Sequence, residues 1–345
     1  MNIRSAAIGT QPLKGASRGR GLVLRPPCAA RPQLSLVVPA HNEEAVIAET
    51  LQGYRDLLGE RGLRYEILVV MNGCTDGTPE RVAALREAHR ELGYALLPQA
   101  GKGRAVKLGF QLARGDWVGF VDADGQIPPS EFAKLLLVLE RMPELDGVIG
   151  SKYREPALHE GEATSPLRDL AGRAFSLLVR GLLGLPYRDT QCGAKLFRRR
   201  ALHDVLGDLT LESWSFDVEL LLHLHRRGRR VAEVPIALRA GGRPSQLRTL
   251  RVAPQMLRDV LELRRRVSPR PEPSAWRDAR AEDRRRLGEI LCRLGLLEPR
   301  EVERALVRQR RGPRRQRLGE ILRSMGLLTP EEVQLALALQ RVSPV

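Results

Sequence analysis

The feature that most constrains the fold is a regular alternation of short apolar runs and amphipathic segments between residues 34 and 121. The apolar runs are four to six residues long and cover 34–38, 65–70, 94–97 and 118–121. The segments between them repeat apolar residues at helical spacing, as Ile47, Leu51 and Tyr54 do in the first of them. This alternation predicts an α/β fold, with helices on both faces of a doubly wound, mostly parallel sheet.

Polar turns follow three of these predicted strands, at residues 39–44, 71–78 and 122–126. Ligands of doubly wound sheets bind beyond the carboxyl ends of the strands, so the three turns are expected to share one site. In the first turn, Asn42 is a candidate N-cap for the helix that follows.

The third turn, Asp122-Ala-Asp-Gly-Gln126, places two carboxylates one residue apart at the end of a buried strand. Carboxylate and amide oxygens from Asp122, Asp124 and Gln126 suit Mg²⁺ or Mn²⁺, with the remaining ligands supplied by substrate phosphates. An Asp-x-Asp pair is also typical of an ordinary solvated turn, so this prediction depends on its neighbours. Gly101-Lys-Gly103 lacks the pattern of a P-loop, and Lys102 is either a solvated helix entry or a phosphate contact.

Charge and composition narrow the classes of partner. The formal net charge of +16 favours anionic partners, whereas three Trp, five Tyr and six Phe in 345 residues provide few stacking platforms for nucleic acid. Nucleic acid is therefore not expected as a partner. Four scattered cysteines without a Cys-x-x-Cys motif predict a reducing compartment without a disulfide framework or structural zinc.

These motifs, in this order, resemble glycosyltransferase family 2. The resemblance extends from about residue 34 to residue 266 and begins with Val38-Pro-Ala-His-Asn-Glu-Glu44, Asn72-Gly-Cys-Thr-Asp-Gly-Thr78, Gly101-Lys-Gly103 and Asp122-Ala-Asp-Gly-Gln126. Later motifs are similar to dolichyl-phosphate glucosyl- and mannosyltransferases: Gly150-Ser-Lys-Tyr153, Asp189-Thr-Gln-Cys-Gly-Ala-Lys-Leu-Phe197 and Glu212-Ser-Trp-Ser-Phe-Asp-Val-Glu-Leu220. Within them, Asp189-Thr-Gln-Cys-Gly193 and Phe216-Asp-Val-Glu-Leu220 are most like the glucosyl branch. The resemblance implies a GT-A fold, a nucleotide-diphosphate sugar donor such as UDP-glucose, and a polyprenyl-phosphate acceptor.

The resemblance also implies a set of site residues. The donor-binding positions are Pro39, Ala40, Asn42, Glu43, Asn72, Asp76, Lys102 and Asp122. Asp122, Asp124 and Gln126 would hold the metal, which would act as a Lewis acid on the leaving diphosphate. The implied catalytic set comprises Asp122, Asp124, Asp189 and Gln191. Met71 and Asn72 depart from the pair of acids that the family commonly has there, which leaves the identity of the donor open.

The kind of acceptor determines whether a base is needed. A sugar hydroxyl must lose a proton during attack, whereas a polyprenyl phosphate is already anionic and needs cations to orient it. Lys152, Arg154 and Arg173 are the candidate cations. Asp217 and Glu219 are expected to be structural, one of them paired with an Arg.

Two basic amphipathic stretches, 167–185 and 247–266, either pack on the domain or lie in a bilayer interface. No apolar run reaches the roughly 18 residues of a membrane span. The expected location is therefore cytoplasmic, peripheral at the inner face of the membrane.

The rest of the chain divides by composition and by an internal repeat. We expect a disordered basic tail at 1–31, the transferase domain at 32–266, a Pro-rich linker at 267–283 and a tandem-repeat domain at 284–342. Residues 286–309 match residues 317–340, and each copy predicts a helix, a turn and a second helix. Gly295 is the expected cap of one helix, and Thr329 with Glu332 forms a capping box.

The repeat resembles the N-terminal domain of type II secretion and type IV pilus ATPases (the MshEN type), tandem copies of which can bind cyclic di-GMP. The implied ligand positions are Arg286, Gly288, Gly295, Gln309, Arg317, Gly319, Gly326 and Gln340. Paired arginines and helix ends suit an anionic, two-fold ligand. The alternative is a module that docks a protein partner.

Three functions remain compatible with the sequence. The first is a metal-dependent inverting transferase with a polyprenyl-phosphate acceptor and a C-terminal sensor. The second keeps the transferase but uses a saccharide hydroxyl acceptor, as in the assembly of exopolysaccharide or cell-wall glycan. The third is a cyclic-dinucleotide-responsive docking protein with a degenerate transferase domain, which the Met71-Asn72 departure would support.

Overall fold

The computed structural model describes residues 23–25, 27, 31–152, 166–239, 246–266, 287–311 and 316–340, and only the backbone of 166–171 and 246–253. The strands are β1 Val23–Arg25, β2 Leu34–Ala40, β3 Tyr65–Asn72, β4 Leu92–Leu97, β5 Trp117–Val121, β6 Gly147–Ser151, β7 Ala194–Arg198 and β8 Val231–Pro235. The first helices are α1 Ile47–Glu60, α2 Thr78–Ala88, α3 Lys102–Leu112, α4 Pro129–Arg141, α5 Pro166–Leu183, α6 Arg199–Leu206, α7 Phe216–Arg226 and α8 Gln246–Arg266. Near the C-terminus follow α9 Leu287–Arg293, α10 Pro299–Arg311, α11 Leu318–Ser324 and α12 Pro330–Gln340.

The strands form one sheet in the order β1-β4-β3-β2-β5-β7-β6-β8. Strands β4, β3, β2 and β5 are parallel, as the alternating pattern predicts, and β6 and β8 are parallel to each other. Strand β7 is antiparallel to both of its neighbours. Because β7 begins where β5 ends, with Ala194 opposite Val121, the segment that precedes β7 lies beside the acidic turn that follows β5.

Two local predictions are wrong. Residues 1–31 are predicted to be a disordered tail, but Val23–Arg25 pairs antiparallel with β4, and Leu24 packs against the core. Asn42 is predicted to cap a helix, but α1 begins only at Ile47 and Asn42 has a left-handed backbone with φ of 59°. Asn tolerates this conformation better than most residues. The Asn42 side chain accepts a hydrogen bond from the turn at 71–78 and does not cap the helix.

The helices cover both faces of the sheet with apolar side chains. One cluster joins the sheet to α1, α2 and α4, and the other joins it to α3, α5, α6, α7 and α8. The doubly wound α/β prediction is thereby confirmed. None of the helices in the described ranges is long and apolar enough to cross a membrane.

The C-terminal repeats form two helical hairpins, as predicted. Gly295 and Gly326 end α9 and α11 in left-handed conformations, with φ of 72° and 67°. The capping box is present, since the Thr329 N–H donates to Glu332 Oε2 at 2.7 Å and the Glu332 N–H donates to Thr329 Oγ1 at 3.2 Å. The hairpins share a core because α9 packs on α12 and α10 packs on α11.

The repeat unit packs directly on the sheet. Helix α12 lies against the edge strand β8, and the apolar residues of the repeats belong to the same cluster as α1, α2 and α4. Two parallel hydrogen bonds of 3.1 Å join the Arg293 guanidinium to the Glu144 carboxylate across this contact. The predicted linker, 267–283, lies outside the described residues.

Candidate functional site

The carboxyl ends of β2, β3 and β5 converge on one cleft, and Asn72 ties its walls together. The Asn72 side chain donates to the Ala40 carbonyl at 2.9 Å and accepts from the Gly101 N–H at 2.9 Å. It is only 4% exposed. Asn72, expected to contact the donor, therefore uses both ends of its amide to hold the first polar turn and the Gly101-Lys-Gly103 turn in place.

The turns at 39–44 and 71–78 are joined by side chains that the sequence marks as donor-binding. Asn42 Oδ1 accepts the Thr75 N–H at 2.7 Å, and the Glu43 N–H donates to Thr78 Oγ1 at 2.9 Å. Asp76 accepts the Glu44 N–H at 3.1 Å and also the Thr78 hydroxyl at 2.6 Å. Desolvation acts to raise the pKa of Asp76, but these hydrogen bonds outweigh it and hold the pKa below its usual value.

The acidic turn after β5 brings Asp122 and Asp124 to the floor of the cleft. Asp122 Oδ1 lies 2.8 Å from Lys102 Nζ. Asp124 accepts from both the backbone N–H and the side-chain amide of Gln126, at 3.1 and 2.8 Å. Gln126 thus orients Asp124.

Within the described ranges, no three His, Cys, Asp or Glu side chains are close enough to hold a metal ion. The oxygen chemistry of the turn fits a hard cation that takes its other ligands from a bound molecule.

From Asp122, a series of side chains of alternating charge leads into the interior of the domain. Lys102 Nζ lies 3.9 Å from Asp217, and Asp217 Oδ1 lies 2.7 Å from Lys195 Nζ. Lys195 has no exposed surface and also donates to the Cys192 carbonyl at 2.6 Å. Burial opposes the charge on Lys102, but the carboxylates of Asp122 and Asp217 outweigh it and raise the pKa of Lys102.

Asp217 and Glu219 are structural, as expected, but neither is paired with an Arg in the interactions described. Asp217 pairs with lysines, and Glu219 accepts the backbone N–H groups of Thr210 and Leu211 at 2.9 and 2.8 Å. Both carboxylates are almost completely buried.

Gly193 allows β7 to approach the acidic turn. Its carbonyl accepts the Asp122 N–H at 3.0 Å, and a methyl group at Gly193 would overlap the Asp122 carboxylate. Only glycine at this position leaves room for the Asp122 carboxylate where it lies. This contact explains why the Asp189–Gly193 motif ends in glycine.

The Asp189–Gly193 segment lies beside the acidic turn. Asp189 is 2% exposed, and its carboxylate accepts the N–H groups of Lys152 and Gln191, each at 3.1 Å. Gln191 Nε2 is buried and finds no hydrogen-bond partner among the residues that the structure describes. Asp189 thus shapes the segment, and the Gln191 amide is its available donor.

The candidate acceptor cations are only partly defined. The backbone of Lys152 adjoins Asp189, and Arg173 is exposed on α5, one turn before Ser176, whose hydroxyl donates to the Arg188 carbonyl. Helix α5 therefore borders the Asp189 segment. Arg154 lies outside the described residues.

An exposed aromatic residue marks the rim. Trp214 is 41% exposed, and Lys102 Nζ lies 5.2 Å from the centre of its ring, within reach of a cation–π interaction. The neighbouring Ser213 hydroxyl donates to Asp259 on α8 at 2.6 Å. Helices α5 and α8 pack together, and their outer leucines Leu177, Leu178, Leu257 and Leu261 are exposed.

In the repeats, the glycines of the cyclic di-GMP hypothesis have structural functions. Notional Cβ atoms on Gly288 and Gly319 would lie 2.5 and 2.8 Å from methyl groups of the valines on the second helices, and Gly295 and Gly326 are the helix caps. Of the polar positions, Gln309 donates to the Gln316 carbonyl at 2.8 Å, and the Arg317 N–H donates to Glu320 at 3.1 Å. Gln340 ends α12, and Arg286 lies outside the described residues.

Comparison with known proteins identifies the larger domain. Residues 35–206 match the profile of the family described as Glycosyl transferase family 2. The domain belongs to that family. A dolichyl-phosphate beta-glucosyltransferase of Trichomonas vaginalis is 33% identical over 213 residues, covering 59% of this chain and 62% of the relative. One from Saccharomyces cerevisiae is 31% identical over 223 residues, covering 59% of this chain and 66% of the relative. The chain thus spans less than two thirds of either relative's length.

Solved structures confirm the fold of the family 2 domain. Glucosyl-3-phosphoglycerate synthase from Mycobacterium tuberculosis in complex with uridine diphosphate matches with a TM-score of 0.52 and 21% identity, over 69% of this chain and 82% of that one. The same enzyme with Mg²⁺ and uridine diphosphate matches with a TM-score of 0.51 and 20% identity, over 69% and 81% of the two chains. These matches confirm the GT-A fold expected from the motifs.

Several residues around the site of the family 2 domain are given no role by the sequence motifs. Lys195 lies between Ala194 and Leu196 in β7, and a charge among apolar residues signals a buried partner, here Asp217. Glu233 in β8 accepts the Asp189 N–H at 2.7 Å, a contact that only the sheet order reveals. Trp214 lies within the Glu212–Leu220 motif, but the motif alone assigns it no role.

Proposed function

We propose that this protein is a metal-dependent inverting glycosyltransferase that moves glucose from UDP-glucose to a polyprenyl phosphate at the cytoplasmic surface of a membrane. The observation that carries the proposal is the cluster of Asp122, Asp124 and Lys102 at the end of β5. It combines ligands for a divalent cation with an ammonium group suited to a diphosphate. The similarity to dolichyl-phosphate beta-glucosyltransferases supports the acceptor class and the sugar.

In the proposed reaction, an acceptor phosphate oxygen attacks the anomeric carbon of the sugar from the face opposite the leaving group. The new carbon–oxygen bond forms as the bond to the diphosphate breaks, so one displacement inverts the anomeric centre. A Mg²⁺ or Mn²⁺ ion held by Asp122 and Asp124 would supply Lewis-acid stabilisation of the leaving diphosphate. Gln126 orients Asp124, and the Lys102 ammonium, 2.8 Å from Asp122, would add a positive charge beside the diphosphate.

The carboxylates around the site favour a phosphate acceptor over a sugar hydroxyl. A hydroxyl acceptor needs a carboxylate that is free to take a proton. Asp122 and Asp124 are assigned to the metal in this proposal. Of the other carboxylates that the described ranges bring close to the site, Asp217 is paired with lysines, Asp189 accepts two backbone N–H groups, and Glu233 accepts the N–H groups of Arg188 and Asp189. An acceptor that is already anionic requires no such base, and Lys152, Arg154 and Arg173 would orient it.

The α5–α8 pair supplies the proposed membrane-facing surface. Leu177 and Leu257 are 64% and 42% exposed, and exposed arginines such as Arg180 and Arg258 lie beside them. Exposed leucines among arginines suit the interface of an anionic bilayer, where the apolar side chains insert and the guanidinium groups meet lipid phosphates. Because α8 contacts the segment that carries Trp214, this surface leads to the rim of the cleft.

The proposal is tested by incubating the full chain with UDP-glucose, polyprenyl phosphate and Mn²⁺, and isolating the lipid-linked sugar. We expect transfer that stops when the metal is chelated and that falls at least about a hundredfold in Asp122→Asn. GDP-mannose in place of UDP-glucose tests the sugar, and a glycan acceptor in place of the lipid tests the hydroxyl alternative. Absence of transfer from every nucleotide sugar would contradict the proposal and favour the degenerate-domain hypothesis.

The cyclic di-GMP hypothesis for the repeats is a separate part of the proposed function. Its support is the paired arrangement of the two hairpins and the exposed Arg317 at the start of α11. Calorimetry of the full chain with cyclic di-GMP should show saturable binding that Arg317→Ala weakens by about tenfold or more. Binding that is absent, or unchanged in the variant, would favour a module that only docks protein.

A further inference from the structure

Among the differences between the second helices of the two repeat copies, two replace an arginine with a leucine. Leu335 and Leu339 in α12 stand where α10 has Arg304 and Arg308, since each pair is separated by the same 31 residues. Both leucines are 5% exposed, whereas both arginines are exposed. The second copy has thus replaced a charged helix face with an apolar one, and the structure shows what covers it.

The cover is the edge strand of the transferase sheet. Helix α12 packs against β8, and its leucines share one apolar cluster with Ala232, Val234 and Ile236. A second contact of the repeats with the transferase domain is the half-buried ion pair of Arg293 in α9 with Glu144, which precedes β6. Burial of two leucines contributes roughly 3–6 kcal/mol of hydrophobic stabilisation relative to exposing them, so the second repeat holds β8 firmly.

The opposite face of β8 reaches the active site, because successive residues of a strand point to opposite faces. Glu233 lies between Ala232 and Val234, and its carboxylate accepts the N–H groups of Arg188 and Asp189 at 3.0 and 2.7 Å. Desolvation raises the pKa of Glu233, as expected for a carboxylate held inside the fold. Glu233 therefore anchors the start of the segment that presents Gln191.

The chain that leaves β8 also touches the acidic turn. The Ala237 N–H donates to Glu131 at 2.9 Å, and the Arg239 N–H donates to the Gln126 carbonyl at 2.8 Å. The same strand thus braces both sides of the cleft: the Asp189 segment through Glu233, and the metal turn through Arg239.

We propose that the second repeat is a positioning element for the transferase. It holds β8 in place. Glu233 is the positioning residue, because its hydrogen bonds from β8 restrain the Asp189–Gln191 segment. The catalytic meaning of that segment rests on the proposed function, but the coupling itself does not. A partner or ligand that released the repeat from β8 would loosen the Asp189–Gln191 segment, and its effect on this segment would exceed its effect on donor binding.

The test uses the full chain with Leu335→Arg and Leu339→Arg, which installs the residues that the first copy carries. The matched control is Leu306→Arg with Val307→Arg, at positions of α10 that are 36% and 41% exposed. Amide hydrogen exchange, which needs no substrate, reports the coupling. We expect exchange at residues 186–193 to rise about tenfold or more in the test variant and to stay at the wild-type rate in the control.

Kinetics provide the second readout. Transfer kcat should fall about tenfold in the test variant and the KM for the donor should change less than kcat. The Asp189 segment loses its Glu233 anchor, whereas the metal turn loses at most the Arg239 contact and keeps Asp122 on Lys102 and Gln126 on Asp124. If the leucine variant fails to fold, Glu233→Ala in the intact repeat, which removes the acceptor, should produce the same rise in exchange and the same kinetic split. Glu233→Asp, which keeps the carboxylate, should recover part of the rate.

Two results would overturn the inference. One is a variant whose α12 amides lose protection while residues 186–193 exchange at the wild-type rate. The other is a variant whose α12 remains fully protected, since the leucines would then not hold the contact. A wild-type chain that transfers no sugar but shows the exchange effect would refute the proposed function and leave the coupling standing.

Discussion

Gly193→Ala is the substitution that tests the geometry of the site most directly. The added methyl group would overlap the Asp122 carboxylate, closer than side-chain carbons approach other atoms. Its backbone contact, the Gly193 carbonyl with the Asp122 N–H, keeps β7 from moving away. The carboxylate must therefore retreat by roughly 1 Å, which disturbs its 2.8 Å contact with Lys102 and any cation that it holds.

A displacement of this size typically lowers rates by about a hundredfold, which corresponds to about 2.7 kcal/mol of transition-state stabilisation. We expect kcat/KM for transfer from UDP-glucose to fall by that factor and the half-saturating Mn²⁺ concentration to rise. The assay is lipid-linked sugar formation over a Mn²⁺ titration, with thermal unfolding measured in parallel. The melting temperature should fall by only a few degrees, because the crowding is local and partly relieved towards the cleft.

The control is Gly59→Ala, since a methyl group at Gly59 in α1 meets no atom within 4 Å. It should leave kcat/KM unchanged and slightly stabilise the helix. If Gly193→Ala kept kcat/KM and the Mn²⁺ dependence within twofold of the wild type, Asp122 would not need its observed position and the metal-clamp reasoning would fail.

Three further predictions follow from other contacts. Lys195→Met should lower the free energy of unfolding by about 3–5 kcal/mol by stranding buried Asp217, and adding Asp217→Leu should restore most of it without restoring transfer; urea unfolding and activity measure the two effects. Although desolvation opposes it, hydrogen bonding lowers the pKa of Asp76 in the fold, so this group stabilises the protein above the unfolded-state pKa and loses that effect as pH falls through the folded-state pKa. The destabilisation caused by Asp76→Asn should therefore be largest near neutral pH and shrink in acid, and a pH-independent difference in unfolding free energy would refute this. Leu177→Glu and Leu257→Glu should each weaken binding to anionic vesicles by about tenfold or more in a sedimentation assay, whereas unchanged binding would place the membrane surface elsewhere.

Much of the sheet was predictable because buried parallel strands leave a strong local signal. The runs at 34–38, 65–70 and 118–121 became β2, β3 and β5 with boundaries shifted by two residues at most. Their polar turns converge because carboxyl ends of parallel strands share an edge. Strand β1 was missed because three residues in a Gly-, Arg- and Pro-rich stretch carry too little pattern to stand out.

The sequence predicted which turns form the candidate site, but not which structural contacts each side chain makes there. Motifs marked Asn72 and Asp76 as donor-binding, yet their side chains are occupied in joining turns that are distant in sequence. Lys195 was missed because its partner lies 22 residues away on a different element. Such assignments depend on which backbone groups face each side chain, and sequence spacing does not encode that.

The repeats show the same limit. The helix-turn-helix form of each copy, the Gly295 cap and the capping box follow from local chemistry, and each was predicted. The exchange of Arg304 and Arg308 for leucines is visible in the sequence, but only the sheet order shows that these leucines meet β8.

The packing of α12 on β8 has a consequence during synthesis of the chain. The apolar side of β8 is complete by Ile236, whereas the helix that covers it ends at Gln340. At about 5–20 residues per second, the intervening stretch of roughly 100 residues takes a ribosome about 5–20 s to translate. Throughout that interval the nascent domain presents an edge strand with an uncovered apolar face, the kind of surface that pairs with other chains. The interval before α12 emerges is therefore the stage at which a newly made chain is most exposed to association through β8.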